Sequence, residues 1–279
     1  MISFDFDYYR PESVRDAVLL YQKLASEGKQ PLYYAGGTEI ISMARIGQLR
    51  MGAVIDLKGI AELNESRFSG DVLVIGANVT LTRLAEENLF PLLGDTARRV
   101  ADHTNRNKIT VGGNICGRIK YREAVLPFLL TDSQAVLVGP SGQRQVPIGE
   151  LFNGKLNLLP GELLVRLLTS RRDVELPYVT MKKTKLEEID YPLVRLAAVQ
   201  TGSWIRIAFS GVSETPLRPL QVEAMLNNTA LPLEVRIENA IRQWPAPMLN
   251  DILGSAEYRA FVLRHALQDT WAALEGGSV

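Results

Sequence analysis

The sequence holds a single cysteine, Cys116, among 279 residues. An internal disulfide is therefore excluded, and so is an iron–sulfur cluster held by this chain alone, because such clusters need several thiolates. That usage suits a reducing compartment, and a cytoplasmic location is the expectation. Histidine is almost as scarce. His103 and His265 are the only two, and they fall in unrelated segments without carboxylate or cysteine spacing, so no metal site is expected. Excess charge of one sign is missing too, with 31 basic and 31 acidic residues, which removes the basic field that nucleic acid or an anionic membrane would call for. No apolar run approaches the roughly 18 to 20 residues of a membrane span. The opening "MISFDFDYYRPE" carries acids where a secretion signal would carry basic residues. The dinucleotide fingerprint G-x-G-x-x-G, a phosphate loop ending in G-K-[ST] and the hydrolase motif G-x-S-x-G are all absent, which disfavours Rossmann, kinase-like and hydrolytic sites.

What remains reads as a folded α+β chain: 46% of residues are apolar and 22% charged, close to the average for globular proteins. The length exceeds the usual single-domain size, and three blocks are expected: residues 1–58, 59–175 and 176–279. The first block is a β/α unit. "FDFDYYRPES" is extended, Glu12 or Ser13 opens a helix that ends at Glu27-Gly28-Lys29, "PLYYAGG" is a strand, "EIISMARIG" a short helix, and Ala53 to Leu57 the closing strand. In the second block "RFSGDVLVIG" predicts a hairpin, Thr80 or Thr82 opens a helix, and "LFPLLGDTARRVADHTNR" is helical in period. "REAVLPFLLTD" follows as an apolar helix with Pro127 either inside it or breaking it, and "AVLVGPSGQRQVPI" is a hairpin turning at Gly-Pro-Ser-Gly. The third block pairs "LVRLAAVQ" with "WIRIAFSGV" and ends in helices.

Two stretches echo each other: "YYAGGTEI", Tyr33 to Ile40, and "ITVGGNIC", Ile109 to Cys116. A residue without Cβ lets the main chain approach a ligand and adopt positive φ, so Gly-Gly beside a hydroxyl can offer N–H groups to phosphate oxygens. Thr38, Thr110 and Asn114 would add hydroxyl and amide groups. With 22 glycines in the chain, ordinary loop chemistry accounts equally well for both pairs.

The order of motifs is more specific than either pair. "YRPESVRDAVLLYQ", "YYAGGTEI", "IDLKGI", "IGANVTLTRL", "TVGGNIC" and "DILGSAEYR" succeed one another across nearly the whole chain. In this the sequence resembles the FAD-binding subunit of molybdenum hydroxylases. That family includes the medium subunit of carbon monoxide dehydrogenase, the flavin domain of xanthine dehydrogenase and the matching subunit of 4-hydroxybenzoyl-CoA reductase. The resemblance implies a vanillyl-oxidase-like flavoprotein fold with FAD between the first two blocks. It assigns Leu32, Tyr33, Tyr34, Ala35, Gly36, Gly37, Thr38 and Glu39 to one wall, and Thr110, Gly112, Gly113 and Asn114 to the other. Glu123 takes the place of an aspartate that binds the flavin nucleotide, Leu164 that of an apolar flavin contact, and Lys182 or Lys183 that of a lysine near the isoalloxazine. Tyr191 is placed to stack on the ring.

The resemblance further implies an electron-transfer subunit. A large partner would carry the molybdopterin, a small partner the iron–sulfur clusters, and the flavin would pass electrons to NAD+, quinone or oxygen. Between Asn114 and Glu123, where the family has small residues, this chain has "ICGRIKYRE" with Arg118, Lys120 and Arg122. Those three cations form a solvated face, extra phosphate contacts or a dock for an acidic partner. The departure keeps two other readings open, namely a flavin-free interaction subunit with the same fold and a standalone FAD oxidoreductase. Cys116, beside the second pair, is either a redox-sensitive thiol or a buried inert one.

Overall fold

The computed structural model describes residues 1–187 and 189–275. The first unit comprises β1 (Asp7–Tyr9), α1 (Val14–Ser26), β2 (Pro31–Tyr34), α2 (Thr38–Arg45) and β3 (Ala53–Asp56). Its strands run parallel in the order β1-β3-β2. Parallel strands need crossovers: α1 carries the chain from β1 to β2 on the far side of β3, and α2 carries it from β2 back to its neighbour β3. Ser13 starts α1 by accepting a hydrogen bond from the Asp16 amide, and Gly28, at φ 75°, follows its end. Val14, Ala17 and Leu24 of α1 pack on Ile55 and, from a distant strand, on Leu163 and Val165.

Next come β4 (Ser66–Ser69), β5 (Val72–Gly76), α3 (Leu81–Glu87), α4 (Pro91–Arg98), α5 (His103–Arg106), α6 (Val111–Cys116), α7 (Leu126–Leu130), β6 (Gln134–Gly139), β7 (Gly142–Pro147), α8 (Ile148–Leu151), β8 (Leu163–Ser170) and α9 (Arg171–Val174). The five strands form one antiparallel sheet ordered β4-β5-β8-β6-β7. Three details differ from the sequence reading. The helical period over 91–106 is interrupted because Ala101 turns left-handed, at φ 49°, with its carbonyl and that of Val100 accepting from Arg106. Pro127 neither breaks a helix nor lies deep in one. It sits in the first turn of α7, where its missing N–H is no loss. The second glycine pair is not a turn: Thr110 caps α6, and both glycines belong to that helix.

The last unit contains β9 (Tyr178–Lys183), β10 (Val194–Thr201), β11 (Trp204–Ser210), α10 (Leu220–Leu226), α11 (Leu233–Arg242) and α12 (Ala256–Glu275), with an antiparallel sheet ordered β11-β10-β9. Strand alternation divides β10 between two cores. Val194, Leu196 and Ala198 face Leu263, Leu267 and Trp271 of α12, while Ala197 and Val199 join the core of the middle unit. A sheet buried on both faces reads as a continuous apolar run, and "LVRLAAVQ" is one, interrupted only by Arg195. Arg206 and Arg218 donate to the carbonyls of Leu130 and Leu129, fastening this unit to α7.

Candidate functional site

A cavity of about 960 Å³ is lined by residues of all three units, at the upper end of the ~300–1,000 Å³ common for ligand pockets. Among its lining residues are Leu32, Tyr33, Ala35, Gly36, Gly37, Thr38, Glu39, Thr110, Gly112, Gly113, Asn114, Glu123, Leu164, Lys182 and Tyr191. Every residue the sequence reading assigned is therefore present except Tyr34. The Tyr34 ring lies beneath Gly37, where a Cβ on Gly37 would come within 2.3 Å of it, and Lys58 covers it at 4.3 Å. Of the two candidate lysines, Lys183 faces away and pairs with Asp269 at 3.6 Å.

The first wall is shaped by contacts within the protein. A Cβ on Gly36 would stand 1.8 Å from the Lys108 carbonyl oxygen, so only glycine lets this loop reach the segment leading into α6. Gly37 takes φ 72° and begins α2 without any side-chain cap. The helices α1, α3, α5 and α6 are capped by Ser13, Thr80, Asp102 and Thr110, whereas α4 and α7 to α11 start uncapped like α2, so what sets α2 apart is that its start lines the cavity. The unpaired N–H groups of the first turn are a general anion site, and at α2 they are left to whatever fills the cavity. Tyr33 stacks on Tyr21 and donates its hydroxyl to the Gly161 carbonyl at 2.9 Å. Burial pushes its phenol well above the ordinary tyrosine value.

Glu39 ties the walls together. Its carboxylate accepts from the Arg118 amide at 2.8 and 2.9 Å and from the Ile119 amide at 2.9 Å. The sequence reading put Glu39 in the first wall, which it lines, and its carboxylate oxygens hold the chain just after α6. Thr110 and Asn114 are engaged in the same way. Thr110 Oγ1 accepts from the Gly113 amide at 3.0 Å and Asn114 Oδ1 from the Ala124 amide at 3.1 Å. Gly112 is buried against Ala77, which an added Cβ would approach to 2.6 Å, while Gly113 is exposed to the cavity.

The basic run resolves into three different roles. Lys120 pairs with Asp251 at 3.0 Å, and Asp251 also accepts from Arg259 at 2.6 Å. Burial alone would raise the Asp251 carboxyl, but hydrogen bonds from Lys120 and Arg259 outweigh it and hold the pKa down to about 2. Arg122, with φ 32°, donates to the carbonyls of Gly117 and Gly154 at 2.8 Å each. Only Arg118 is exposed with no ion-pair partner among the described residues, and it lines the cavity. Cys116 also lies on the cavity wall and is exposed there, so it is not a buried thiol, yet the surrounding protein pushes its ionisation up to about 12 against a smaller opposing pull from Arg122.

At another part of the cavity Glu123 is 4% exposed and lies 3.5 Å from Lys182 Nζ and 3.4 Å from Arg195 Nε. Lys182 also donates to the Arg99 carbonyl at 2.8 Å. Burial lowers the lysine's pKa, with Glu123 opposing. Arg195 was not anticipated, although a lone charge inside an apolar strand was a visible signal. Tyr191, half-exposed, stacks on Tyr121 with centroids 4.7 Å apart and planes 15° from parallel. Tyr121, which lines the cavity in a position where small residues were expected, was also missed.

The site meets the demands of a large anionic cofactor. An uncapped helix start, a glycine wall and the Lys182–Glu123 ion pair, with the buried Arg195 behind it, all meet at one cavity. Comparison with known proteins agrees. The sequence model described as the FAD binding domain in molybdopterin dehydrogenase matches residues 4–168. The chain is 28% identical to the carbon monoxide dehydrogenase medium chain of Hydrogenophaga pseudoflava over 98% of this chain and 99% of that one. It is also 28% identical to the xanthine dehydrogenase FAD-binding subunit of Escherichia coli O157:H7, covering 92% of this chain and 90% of that one. A solved structure of carbon monoxide dehydrogenase from Hydrogenophaga pseudoflava superposes with a TM-score of 0.86 at 26% identity, over 98% of both chains. This chain therefore belongs to the family of FAD-binding domains in molybdopterin dehydrogenases, and is the FAD-binding oxidoreductase subunit of an enzyme of that kind.

Proposed function

We propose that FAD lies along this cavity with its diphosphate between the glycine walls and its isoalloxazine toward Glu123, Lys182 and Tyr191. The carrying observation is the start of α2, which opens on the cavity with no side-chain cap while the neighbouring α6 is capped by Thr110. Bound FAD supplies a carrier that exchanges electrons singly or in pairs. The chain's own groups do the rest. N–H groups in the first turn of α2 donate to diphosphate oxygens, and Arg118 adds the countercharge that two anionic phosphates require. Leu164 packs against the ring system, Lys182 contributes positive charge, and the Tyr191–Tyr121 stack shields the ring from water. Titration of the purified chain with FAD, followed by flavin fluorescence, is expected to saturate at one equivalent. A chain that retains no flavin after reconstitution would sink this reading.

In this reading the chain accepts electrons from an iron–sulfur subunit, itself fed by a large molybdopterin-binding subunit, and delivers them to NAD+ or another acceptor. Support comes from the lone cysteine, which leaves no cluster to this chain, and from the relatives, whose names are those of chains or subunits of dehydrogenases. Co-purification from the native host with iron- and molybdenum-containing chains is the expected result. Isolation as a monomer that oxidises NAD(P)H with neither metal would overturn it.

A further inference from the structure

Strand register forces two cations together. Lys182 on β9 is the direct cross-strand partner of Arg195 on β10, so the two side chains leave the same face of the sheet, and like charges so placed repel. On that face Ala197 and Val199 pack into the core of the middle unit, so the pair enters protein rather than water. Glu123 lies between them, one oxygen near each. Two positive charges and one negative leave this buried triad net positive, with Arg99, Asp95 and Asp190 as the next charges around it. Lys182 has a further acceptor in the Arg99 carbonyl, whereas Arg195 is 0% exposed and none of its three nitrogens has a hydrogen-bond partner. Glu123 Oε2 lacks one too. A guanidinium buried this way destabilises the fold relative to an apolar side chain of similar volume. Its presence calls for an explanation other than packing.

We propose that Arg195 is a positioning charge that, through Glu123 and Lys182, biases bound flavin toward its reduced and more negative state. The inference rests on the placement of the isoalloxazine given above. Glu123 is then the counter-ion that limits the bias, not a ligand of the nucleotide. The physical basis is the field of a net positive charge in a wall with little water to screen it, acting on a group that gains electrons.

Arg195→Met and Glu123→Gln remove opposite charges from one cluster with little change of volume. In the FAD-loaded chain equilibrated with redox dyes, Glu123→Gln is expected to raise the flavin midpoint potential and Arg195→Met to lower it. Each shift corresponds to roughly a tenfold change in the ratio of reduced to oxidised flavin, about 30 mV for a two-electron couple. Arg195→Lys restores most of the wild-type value. A cluster that only stabilises the fold would leave both potentials unmoved or shift them in the same direction, and either outcome overturns the proposal. Should Arg195→Met fail to fold, the sign of the Glu123→Gln shift decides alone. A wild-type chain that retains no FAD removes the cofactor placement and this inference together, whereas bound FAD with coincident potentials removes only the inference.

Discussion

The two glycine pairs look alike as letters and differ as structures. Gly36-Gly37 lies in a strand-to-helix connection with one left-handed residue, and Gly112-Gly113 opens a helix in ordinary conformation. Within each pair the duties differ again. Gly36 and Gly112 are required by the protein's own packing, against the Lys108 carbonyl and Ala77 respectively, and Gly37 is required by its backbone angle and by the Tyr34 ring. Gly113 alone meets nothing but the cap hydroxyl of its own helix. The lesson is that three of these four glycines are required by the protein's own packing or backbone, which lets the walls close on each other, and one faces the cavity.

Substitution can break that comparison. Gly36→Ala is expected to have the largest effect, because the obstacle is a backbone oxygen that cannot rotate away. A loss of about 3 kcal/mol in denaturant unfolding, together with loss of flavin, is predicted, and a variant of wild-type stability would refute the packing role. Gly112→Ala meets a methyl and a backbone oxygen at longer range, and about 2 kcal/mol is expected in the same assay.

The attachment of the second wall to the C-terminal unit can be tested by pH. The Asp251 carboxylate, held at about 2 in the folded chain, titrates near 4 when unfolded. Its folded-state value is depressed, so its contribution is present in full above the unfolded value and is lost as pH falls through about 2. Allowing for solvent screening of a partly exposed group, Asp251→Asn should cost about 1–2 kcal/mol near neutrality and remove that part of the acid dependence. An unchanged acid limb would show that the Lys120–Asp251–Arg259 bridge is not formed in solution. Gly113→Ala should move stability least, by about 1 kcal/mol, since the helix position gains propensity but the new Cβ crowds the Thr110 cap hydroxyl. Its FAD affinity should nevertheless fall roughly tenfold. Equal effects of Gly112→Ala and Gly113→Ala on both measurements would abolish the distinction between wall and surface.

Much of the fold was legible because local signals carried it. Ser13 and Gly28 bracket α1, Gly70 turns the first hairpin, and runs rich in apolar residues announce β10 and β11. The cavity was legible in part through the resemblance, since every residue it assigned except Tyr34 lines it, while Tyr121, Asn78 and other lining residues went unnamed. What the sequence could not reveal is which polar atoms are already taken. Glu39, Thr110 and Asn114 carry the right chemistry for a cofactor, yet their oxygens accept from main-chain amides of Arg118, Gly113 and Ala124. Partners 79 residues away in the case of Glu39 and Arg118 have no local signature. Arg195 escaped for a similar reason, as its significance lies in a cross-strand register with Lys182 that the chain reveals only when folded.

The Cys116 thiol gives the cavity wall one more property. Although the side chain is exposed, its ionisation is pushed up, which disfavours the thiolate, the form that peroxides attack. The one sulfhydryl of the sequence thus stands on the cavity wall in the form least open to oxidation.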